Sequence, residues 1–454
     1  MSDAKKRVLF VAYYFPPRGG AGVQRSLKFV KYLRQFDWEP TVLTTEYEKR
    51  SAAYDETLLG ELPEGLEVIR VRSLESFFVK VSKVGLGRIP GMLLRPDTQV
   101  TWVRKALASA MKLHAKRPFD LVYTSVQPWS AGLVGMNFKA VTGLPWVSDF
   151  RDPWTRSLHL VWPTKSHWKS DRNLEGRYLA EADRSITVTA TMREDFLADH
   201  PAVDPGRVTV IDNGYDTEDM KAPAAEDDGK FTVAFVGKFQ YDHDSGNPRA
   251  GFLERLKTAG TFARRDVALD THSPVYFFRG LADFLKRFPD RRAKVRVVLA
   301  GSTGRGNEAL AGQLGLRDVV EFAGYLPHVE AVSVTRSADA LLLPMFSTAD
   351  AGERVAYASG KIFEYLAARK PILTLAQTGD ARDIAERSGL GLAVAPRDVA
   401  GISQAIEKLY DNWADKGEAF AADEEFVARF TRLSLTRRLA DTFNEVLRES
   451  GDRA

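Results

Sequence analysis

Two short segments carry residues whose types and spacing suit the binding of an anion or a sugar. The first is the glycine-rich turn G-G-A-G at residues 19–22, where an apolar run passes into an amphipathic one. Without side chains at Gly19, Gly20 and Gly22, backbone N–H groups and the positive end of a helix dipole can approach a ligand closely. The alternative is a glycine turn needed only for tight packing.

The spacing of these glycines differs from the G-x-G-x-x-G of dinucleotide-binding enzymes. In addition, no acidic residue stands out at the end of the second apolar run to bind a ribose. We therefore expect no dinucleotide cofactor.

The second segment is S-D-F-R-D-P-W, which carries Asp149, Arg151 and Asp152 at the end of an apolar run. Ligands of parallel sheets bind at the carboxyl ends of the strands, so these side chains are candidates for contacts with a substrate. Asp152 is our candidate for orienting or deprotonating a substrate hydroxyl, which a carboxylate within about 3 Å can do. The alternative for Asp152 is a cap for the segment that follows.

A third segment, Asp242-His243-Asp244, has the spacing of an Asp-x-Asp metal motif. Two such carboxylates can hold a divalent cation against phosphates. In a polar loop the same tripeptide is ordinarily solvated charge, and we therefore expect no metal site.

The elements that must position these residues follow one pattern. Apolar runs alternate with amphipathic segments from V-L-F-V-A-Y-Y near the start to V-T-V-I-D at 208–212, which is typical of parallel strands joined by helices. A polar stretch with glycine and proline follows, and a second series of the same kind begins at F-T-V-A-F-V-G. We expect an α/β protein with two doubly wound domains that face each other across a cleft.

We place the first domain at residues 1–216 and the second at 217–429. A last helical segment, at about 430–454, is a candidate to pack back on the first domain. Residues 240–273 interrupt the second series over a length that an ordinary connection does not need, which predicts a functional or a disordered loop.

The composition excludes several classes of function. The 454 residues carry 64 Lys and Arg against 60 Asp and Glu, and this balance does not favour nucleic acid as a partner. The absence of cysteine excludes disulfides, a thiolate zinc site and a cysteine nucleophile, and it fits a reducing compartment. No stretch reaches the roughly 18 apolar residues of a membrane span, so we expect a cytoplasmic protein.

Six segments, in order along nearly the whole chain, match one known family. They are F-P-P-R-G-G-A-G-V-Q-R near the start, L-P-W-V-S-D-F-R-D-P-W at 144–154, E-A-D-R-S-I-T-V-T at 181–189, V-I-D-N-G-Y-D at 210–216, F-A-G-Y-L-P-H at 322–328, and S-G-K-I-F-E-Y-L-A-A-R-K-P-I-L at 359–373. With them the sequence resembles the retaining, family 4-like glycosyltransferases of the GT-B fold, which include many bacterial polysaccharide and lipopolysaccharide enzymes.

The resemblance implies transfer of a hexose-type sugar from a UDP- or GDP-sugar to a glycan or lipid-linked acceptor, without a metal or other cofactor. Negative charge grows on the leaving diphosphate, and fixed positive charge stabilises it. The family's basic pair is matched here by Lys238 and Arg279, although Arg279 also fits a solvated arginine on a helix surface. The turn at 19–22 belongs to the donor side in this comparison, and the cluster at 149–152 to the acceptor side.

Glu364 matches the family's carboxylate that accepts hydrogen bonds from two ribose hydroxyls of the donor. In isolation it would be an ordinary exposed helix glutamate. The other matched donor positions are Gly237, Leu326, Ser359, Gly360 and Lys361. His328 is expected to cap the following helix near the nucleobase.

The chain departs from the family pattern at one acidic position. Many members carry a second glutamate eight residues before the one matched by Glu364, and Ala356 stands there in this sequence, with Glu353 as the nearest acid. This change leaves open which residues contact the transferred sugar. Two alternatives to a glycosyltransferase therefore remain, a nucleotide-sugar epimerase or hydrolase of the same fold and a catalytically silent binding protein.

The stretch from Phe77 to Arg117 mixes basic with large apolar side chains. It predicts either peripheral contact with an anionic membrane, at the cytoplasmic face of the inner membrane where a lipid-linked acceptor would wait, or a core helix with a basic solvated face.

Overall fold

The computed structural model describes residues 5–47, 54–75, 77–78, 88–221, 223, 228–243, 261–263, 266–350 and 352–452. The chain divides into two compact units. The first unit comprises Met1–Asn213, Gly260–Arg264 and Arg432–Ala454, and the second comprises Gly214–Ala259 and Arg265–Thr431.

The first unit is built on a parallel sheet whose strand order is β3-β2-β1-β4-β5-β6-β7. The strands are β1 (Lys6–Val11), β2 (Trp38–Thr45), β3 (Glu67–Val71), β4 (Leu121–Val126), β5 (Trp146–Phe150), β6 (Arg184–Thr187) and β7 (Val208–Val210). The helices are α1 (Ala21–Leu33), α2 (Arg88–Leu93), α3 (Val100–Lys116), α4 (Ser130–Thr142), α5 (Lys165–Glu181) and α6 (Ala190–Asp199). The central strands β4 and β5 are buried along their whole length, because helices cover both faces of such a sheet.

The second unit has the strand order β11-β10-β8-β12-β14-β15. Its strands, with a short antiparallel pair β9 and β13, are β8 (Phe231–Lys238), β9 (Val267–Ala268), β10 (Val295–Ser302), β11 (Val320–Gly324), β12 (Ala340–Pro344), β13 (Ser347–Thr348), β14 (Ile372–Leu375) and β15 (Gly391–Val394). Its helices are α7 (Val275–Arg287), α8 (Arg305–Gln313), α9 (His328–Ser337), α10 (Gly360–Ala368), α11 (Asp380–Arg387), α12 (Val399–Ala414) and α13 (Glu424–Ala428).

The last helix, α14 (Arg432–Gly451), belongs to the core of the first unit. Leu435, Leu439 and Phe443 are fully buried in the same apolar cluster as Phe10. The Phe443 ring also packs against Trp38, with their centroids 5.1 Å apart.

Both sheets confirm the predicted α/β class with two Rossmann-like, doubly wound domains. In each sheet the chain moves outward from the first strand on one side and then returns to the other side of that strand. The crevice at this reversal, outside the carboxyl ends of the strands, is where ligands of such sheets bind. No helix among the described residues is long and apolar enough to cross a membrane.

Candidate functional site

The glycine turn at 19–22 leads into α1 at the carboxyl edge of the first sheet. Gly20 precedes the helix with φ 102°, a backbone conformation that favours glycine, and no side chain caps the helix there. A Cβ on Gly22 would lie 3.0 Å from Nη1 of Arg151, so close packing also restricts this position. Packing therefore accounts for Gly22, whereas the uncapped N–H groups after Gly20 remain suited to an anion.

Asp149 does not face a ligand, which corrects its prediction as an acceptor-side residue. Its carboxylate is fully buried and accepts two hydrogen bonds from Arg25, at 2.8 Å from Nε and 3.0 Å from Nη2, and a third from the Tyr123 hydroxyl. Burial, together with the charge of Asp149, raises the pKa of Tyr123 well above its ordinary value. Arg25 also donates to the Ile211 carbonyl at 2.9 Å, so this ion pair joins the ends of β5 and β7.

Arg151 is also buried, and its two terminal guanidinium nitrogens donate within the protein, whereas its Nε has no hydrogen-bond partner among the described residues. Its guanidinium donates to the carbonyl of Gly22 and, at 2.6 Å, to the carbonyl of Gln127. Gln127 follows β4 with φ 130°, an unusual conformation for a residue with a side chain. Arg151 thus binds together the turns after β1, β4 and β5. Its contact with an acceptor stays a prediction.

Asp152 differs from Asp149 and Arg151 because no hydrogen bond to its carboxylate is found within the described residues. The residue is half-buried. Burial raises the pKa of Asp152, although the charge of Arg151 acts in the opposite direction. The next helix, α5, is capped by Thr164, so the capping alternative for Asp152 is wrong. Its role toward a substrate hydroxyl stays a prediction.

Two glycines bring backbone segments unusually close at the carboxyl edge of the second sheet. A Cβ on Gly301, at the end of β10, would lie 1.9 Å from the carbonyl oxygen of Gly237 in β8. A Cβ on Gly237 would lie 2.2 Å from Cε of Lys361. The Lys361 side chain therefore passes directly over a strand end that has no side chain of its own, and any larger residue at 237 would displace it.

Lys238 is the next residue along β8 and is exposed at the edge. No ion pair with Lys238 or Lys361 is found in the part of the chain that the structure describes. Two ammonium groups without a carboxylate partner make this edge positive, since Lys361 lies against the neighbouring Gly237.

The N-terminus of α10 adds to this positive edge. Ser359 caps the helix by accepting a hydrogen bond from the Lys361 N–H at 3.4 Å. A Cβ on Gly360 would meet nothing within 4 Å, so the first turn is open to a ligand. Helix N-termini attract anions through free N–H groups and the helix dipole. The two lysines and this helix end together form a site suited to a diphosphate.

Glu364 is exposed on α10, whereas its neighbours Phe363 and Tyr365 are buried. The Tyr365 hydroxyl donates to the Leu342 carbonyl at 3.3 Å, and this bond fixes α10 on β12 independently of any ligand. Glu364 is therefore held by a fixed helix, one turn after Gly360. Its role with a ribose stays a prediction.

Arg279 and Leu326 lie outside α10 and β8. Arg279 is exposed on α7, and its guanidinium carbon lies 5.6 Å from the centre of the Tyr276 ring. That contact also fits the alternative of a helix-surface arginine. Leu326 is half-buried in the turn between β11 and α9. His328 begins α9, but the cap residue is Pro327 and no side chain caps the helix, so the capping prediction for His328 is wrong.

The described part of the Asp-x-Asp segment has partners within the protein. Oδ1 of Asp242 accepts a hydrogen bond from the Asn307 N–H at 2.9 Å, in the first turn of α8, and the His243 N–H donates to Oδ1 of Asn307 at 3.1 Å. Asp244 lies outside the described residues. Asp242 thus stabilises the start of α8.

Sequence reasoning missed Arg25 and Gln377. Arg25 reads as a solvated residue on an amphipathic helix, and only the fold brings it to Asp149. Gln377 follows β14 in an unremarkable loop, yet its buried amide contacts several groups of the connection that leads to α10. A polar residue directly after an apolar strand was the one available signal.

Two family models match this chain. A model described as "Glycosyl transferase 4-like domain" matches residues 19–214, and one described as "Glycosyl transferases group 1" matches residues 275–412. A curated relative from Streptomyces coelicolor, D-inositol 3-phosphate glycosyltransferase, is 26% identical over 66% of this chain and 63% of its own length. This chain therefore aligns with less than two thirds of that relative.

Solved structures share the fold at lower identity. A glycosyltransferase from Rickettsia africae superposes with a TM-score of 0.63 at 13% identity, covering 98% of this chain and 99% of that one. Anabaena HepE, crystallised with UDP and glucose, gives a TM-score of 0.59 at 16% identity, covering 97% of this chain and 100% of that one.

Proposed function

The chain belongs to the family 4-like glycosyltransferases of the GT-B fold, and from this premise we propose that it is a retaining hexosyltransferase that uses a UDP- or GDP-sugar. The observation that carries the proposal is the positive edge of the second unit, where Lys238, Lys361 and the N-terminus of α10 come together. The neighbour crystallised with UDP and glucose supports a sugar nucleotide as the donor, and the relative named D-inositol 3-phosphate glycosyltransferase supports glycosyl transfer.

In the proposed reaction, the bond between the sugar's anomeric carbon and the diphosphate oxygen breaks, and a bond to the acceptor oxygen forms. Charge grows on the leaving diphosphate, which Lys238, Lys361 and the N–H groups of α10 are suited to stabilise. Arg279 is proposed as a second cation for the same charge. Glu364 accepts hydrogen bonds from the ribose hydroxyls and so orients the nucleoside.

The acceptor loses its hydroxyl proton as the new bond forms. Asp152 is proposed to orient this hydroxyl, because its half-buried carboxylate is available and its raised pKa makes it a better proton acceptor than an ordinary aspartate. Asp149 and Arg151 support it by fixing the end of β5. Retention of configuration is part of the proposal and is tested by the anomeric signal of the product.

We propose that turnover needs no divalent metal. Lys238 and Lys361 supply positive charge where the diphosphate would lie, and Asp242 is hydrogen-bonded to α8. Full activity in EDTA supports this proposal. Loss of activity in EDTA with recovery on adding Mn²⁺ would contradict it.

We propose that the acceptor is a glycan or a lipid-linked sugar of a cell-surface polysaccharide, taken at the cytoplasmic face of the inner membrane. Phe77 is 58% exposed and Leu93 is 74% exposed, in a stretch without acidic residues between Glu75 and Asp97. Apolar side chains among basic ones suit an anionic lipid surface. Flotation with anionic and neutral liposomes tests this, and equal flotation with both would contradict it.

The function is tested by thermal shift with UDP, GDP, ADP and their sugars, followed by turnover with and without acceptor. The proposal expects stabilisation by one nucleoside diphosphate and sugar transfer only when acceptor is present. Donor conversion without acceptor would indicate an epimerase or hydrolase. Binding without donor consumption would indicate a silent binding protein.

A further inference from the structure

The connection between β12 and α10 follows an irregular path along the carboxyl edge of the second sheet. Apart from the two-residue strand β13, its described residues form neither helix nor strand. It ends at Ser359, the cap of α10. A segment of this kind needs side chains and neighbouring backbone to satisfy its polar groups.

Gln377 provides four of these contacts from a single buried amide. Gln377 is 9% exposed and lies two residues after the end of β14 at Leu375. Its Oε1 accepts a hydrogen bond from the Thr348 N–H at 2.9 Å, and its Nε2 lies 3.1 Å from the Thr348 hydroxyl. Nε2 also donates to the carbonyl of Asp350 at 3.3 Å and to the carbonyl of Glu353.

The residues that follow β14 also fix the connection further along the chain. The Val355 N–H donates to the Thr378 carbonyl at 3.0 Å, and the Asp380 N–H donates to the Val355 carbonyl at 3.3 Å. A Cβ on Gly379 would lie 2.4 Å from that carbonyl oxygen, so the two segments are in close contact. The connection is thus held from Thr348 to Val355, directly before the buried Ala356.

Helix α10 does not depend on these contacts. It is fixed on β12 by the Tyr365 hydroxyl bond to Leu342 and by the buried side chains of Ile362 and Phe363. Loss of Gln377 should therefore displace the connection while the phosphate-binding end of α10 stays in place.

We infer that Gln377 is a positioning residue for the transferred sugar, acting through the connection that it holds. This inference rests on the proposed function. With the diphosphate at the N-terminus of α10, the sugar bonded to its outer phosphate lies beside the segment that enters this helix. Ala356 offers only a buried methyl group, so the polar groups of the connection's backbone must be held in place to contact a sugar.

Kinetics of Gln377→Leu and Gln377→Glu test the inference. Leu removes all four contacts at similar size, and Glu keeps only the acceptor for the Thr348 N–H while placing an oxygen against two carbonyls. We expect kcat for sugar transfer to fall about tenfold or more in both variants. The affinity for free UDP or GDP, measured by calorimetry, should change less than about threefold, because the contacts on α10 remain.

Thr348→Val is a milder variant, should either substitution at 377 fail to fold. It removes the hydroxyl that contacts Gln377 and donates to the Asp350 carbonyl at 2.9 Å, and it should lower kcat in the same direction. The matched control is Thr335→Val in α9, which removes a buried hydroxyl bond to the Ala331 carbonyl at 2.9 Å within that helix and makes no bond to the connection. It should keep both kcat and affinity.

Normal kcat in folded Gln377→Leu would overturn the inference. An equal loss of kcat and nucleotide affinity would also overturn it, because that result describes general damage to the second unit. Failure of the unmodified protein to bind any nucleoside diphosphate would instead overturn the proposed function, and the inference with it.

Discussion

In both units the central strands end at the carboxyl edge of a parallel sheet, but the charged residues at the two edges have different surroundings. In the first unit Arg25, Asp149 and Arg151 are buried and hydrogen-bonded within the protein. In the second unit Lys238 is exposed, and Lys361 lies over the bare backbone of Gly237. Neither lysine has a carboxylate partner among the described residues.

We propose that this difference separates residues that stabilise an edge from residues suited to bind a ligand there. A buried ion pair with complete hydrogen bonding cannot exchange partners without a large penalty. A lysine without a partner at an open helix N-terminus gains its partner only when an anion arrives. Changes in the first set should therefore affect stability, and changes in the second should affect catalysis.

The largest expected effect is on stability in the first unit. Asp149→Asn leaves Arg25 buried without a counter-charge, which should lower the free energy of unfolding by about 3 to 5 kcal/mol in urea denaturation. Asp152→Asn is the matched control, since burial already disfavours the charge there. Its unfolding free energy should stay within about 1 kcal/mol of the unmodified protein. Equal midpoints for all three proteins would remove the distinction between these aspartates.

Lys238→Ala should act on catalysis instead. Removing one cation from the leaving diphosphate should lower kcat by about 100-fold to 1,000-fold, or about 2.7 to 4 kcal/mol, with little change in unfolding. Lys230→Ala, an exposed lysine just before the opposite end of β8, removes the same charge and should have normal kinetics. Equal kinetic losses in the two variants would indicate a diffuse electrostatic effect.

Glu364→Ala tests the nucleoside end of the same edge. Losing hydrogen bonds to two ribose hydroxyls should cost about 2 to 4 kcal/mol, or roughly 30-fold to 1,000-fold in donor affinity or rate. Glu364→Gln should show an intermediate defect. Glu445→Ala, an exposed glutamate of α14, provides the control. Normal donor affinity and turnover in a folded Glu364→Ala protein would show that this helix does not bind the ribose.

The smallest effect concerns Asp97, whose carboxylate accepts hydrogen bonds from Ser130 at the start of α4. Burial raises the pKa of Asp97 to about 6 from 3.8. The folded state therefore binds this proton more tightly, so the resulting stability is present below about pH 4 and is lost as pH rises through 6.

Relative to Asp97→Asn, the free energy of unfolding of the unmodified protein should fall by about 1 to 2 kcal/mol between pH 4 and pH 7. This fall is smaller than the full pKa shift implies, because Asp97 is only half-buried. Urea denaturation of both proteins at several pH values measures this difference. A difference that stayed constant or grew with pH would contradict the assignment to Asp97.

The alternation of apolar runs was enough to predict the fold class, because strands covered on both faces must be apolar along their length. It could not separate Asp149 from Asp152. Both follow the same apolar run, and only the arginine brought from α1 decides which one is buried. The role of Gln377 could not be predicted either, because its partners lie 24 to 29 residues earlier in the chain and most of them are backbone groups.

Hydrogen exchange with and without UDP or GDP tests most directly which edge holds the donor. We expect slower exchange in peptides covering Gly237–Lys238 and Ser359–Glu364, with smaller changes at Gly19–Gly22. Lys361→Ala should lose this protection, whereas Lys230→Ala should keep it. Protection confined to Gly19–Gly22, with none at the second unit's edge, would contradict nucleotide binding by the second unit.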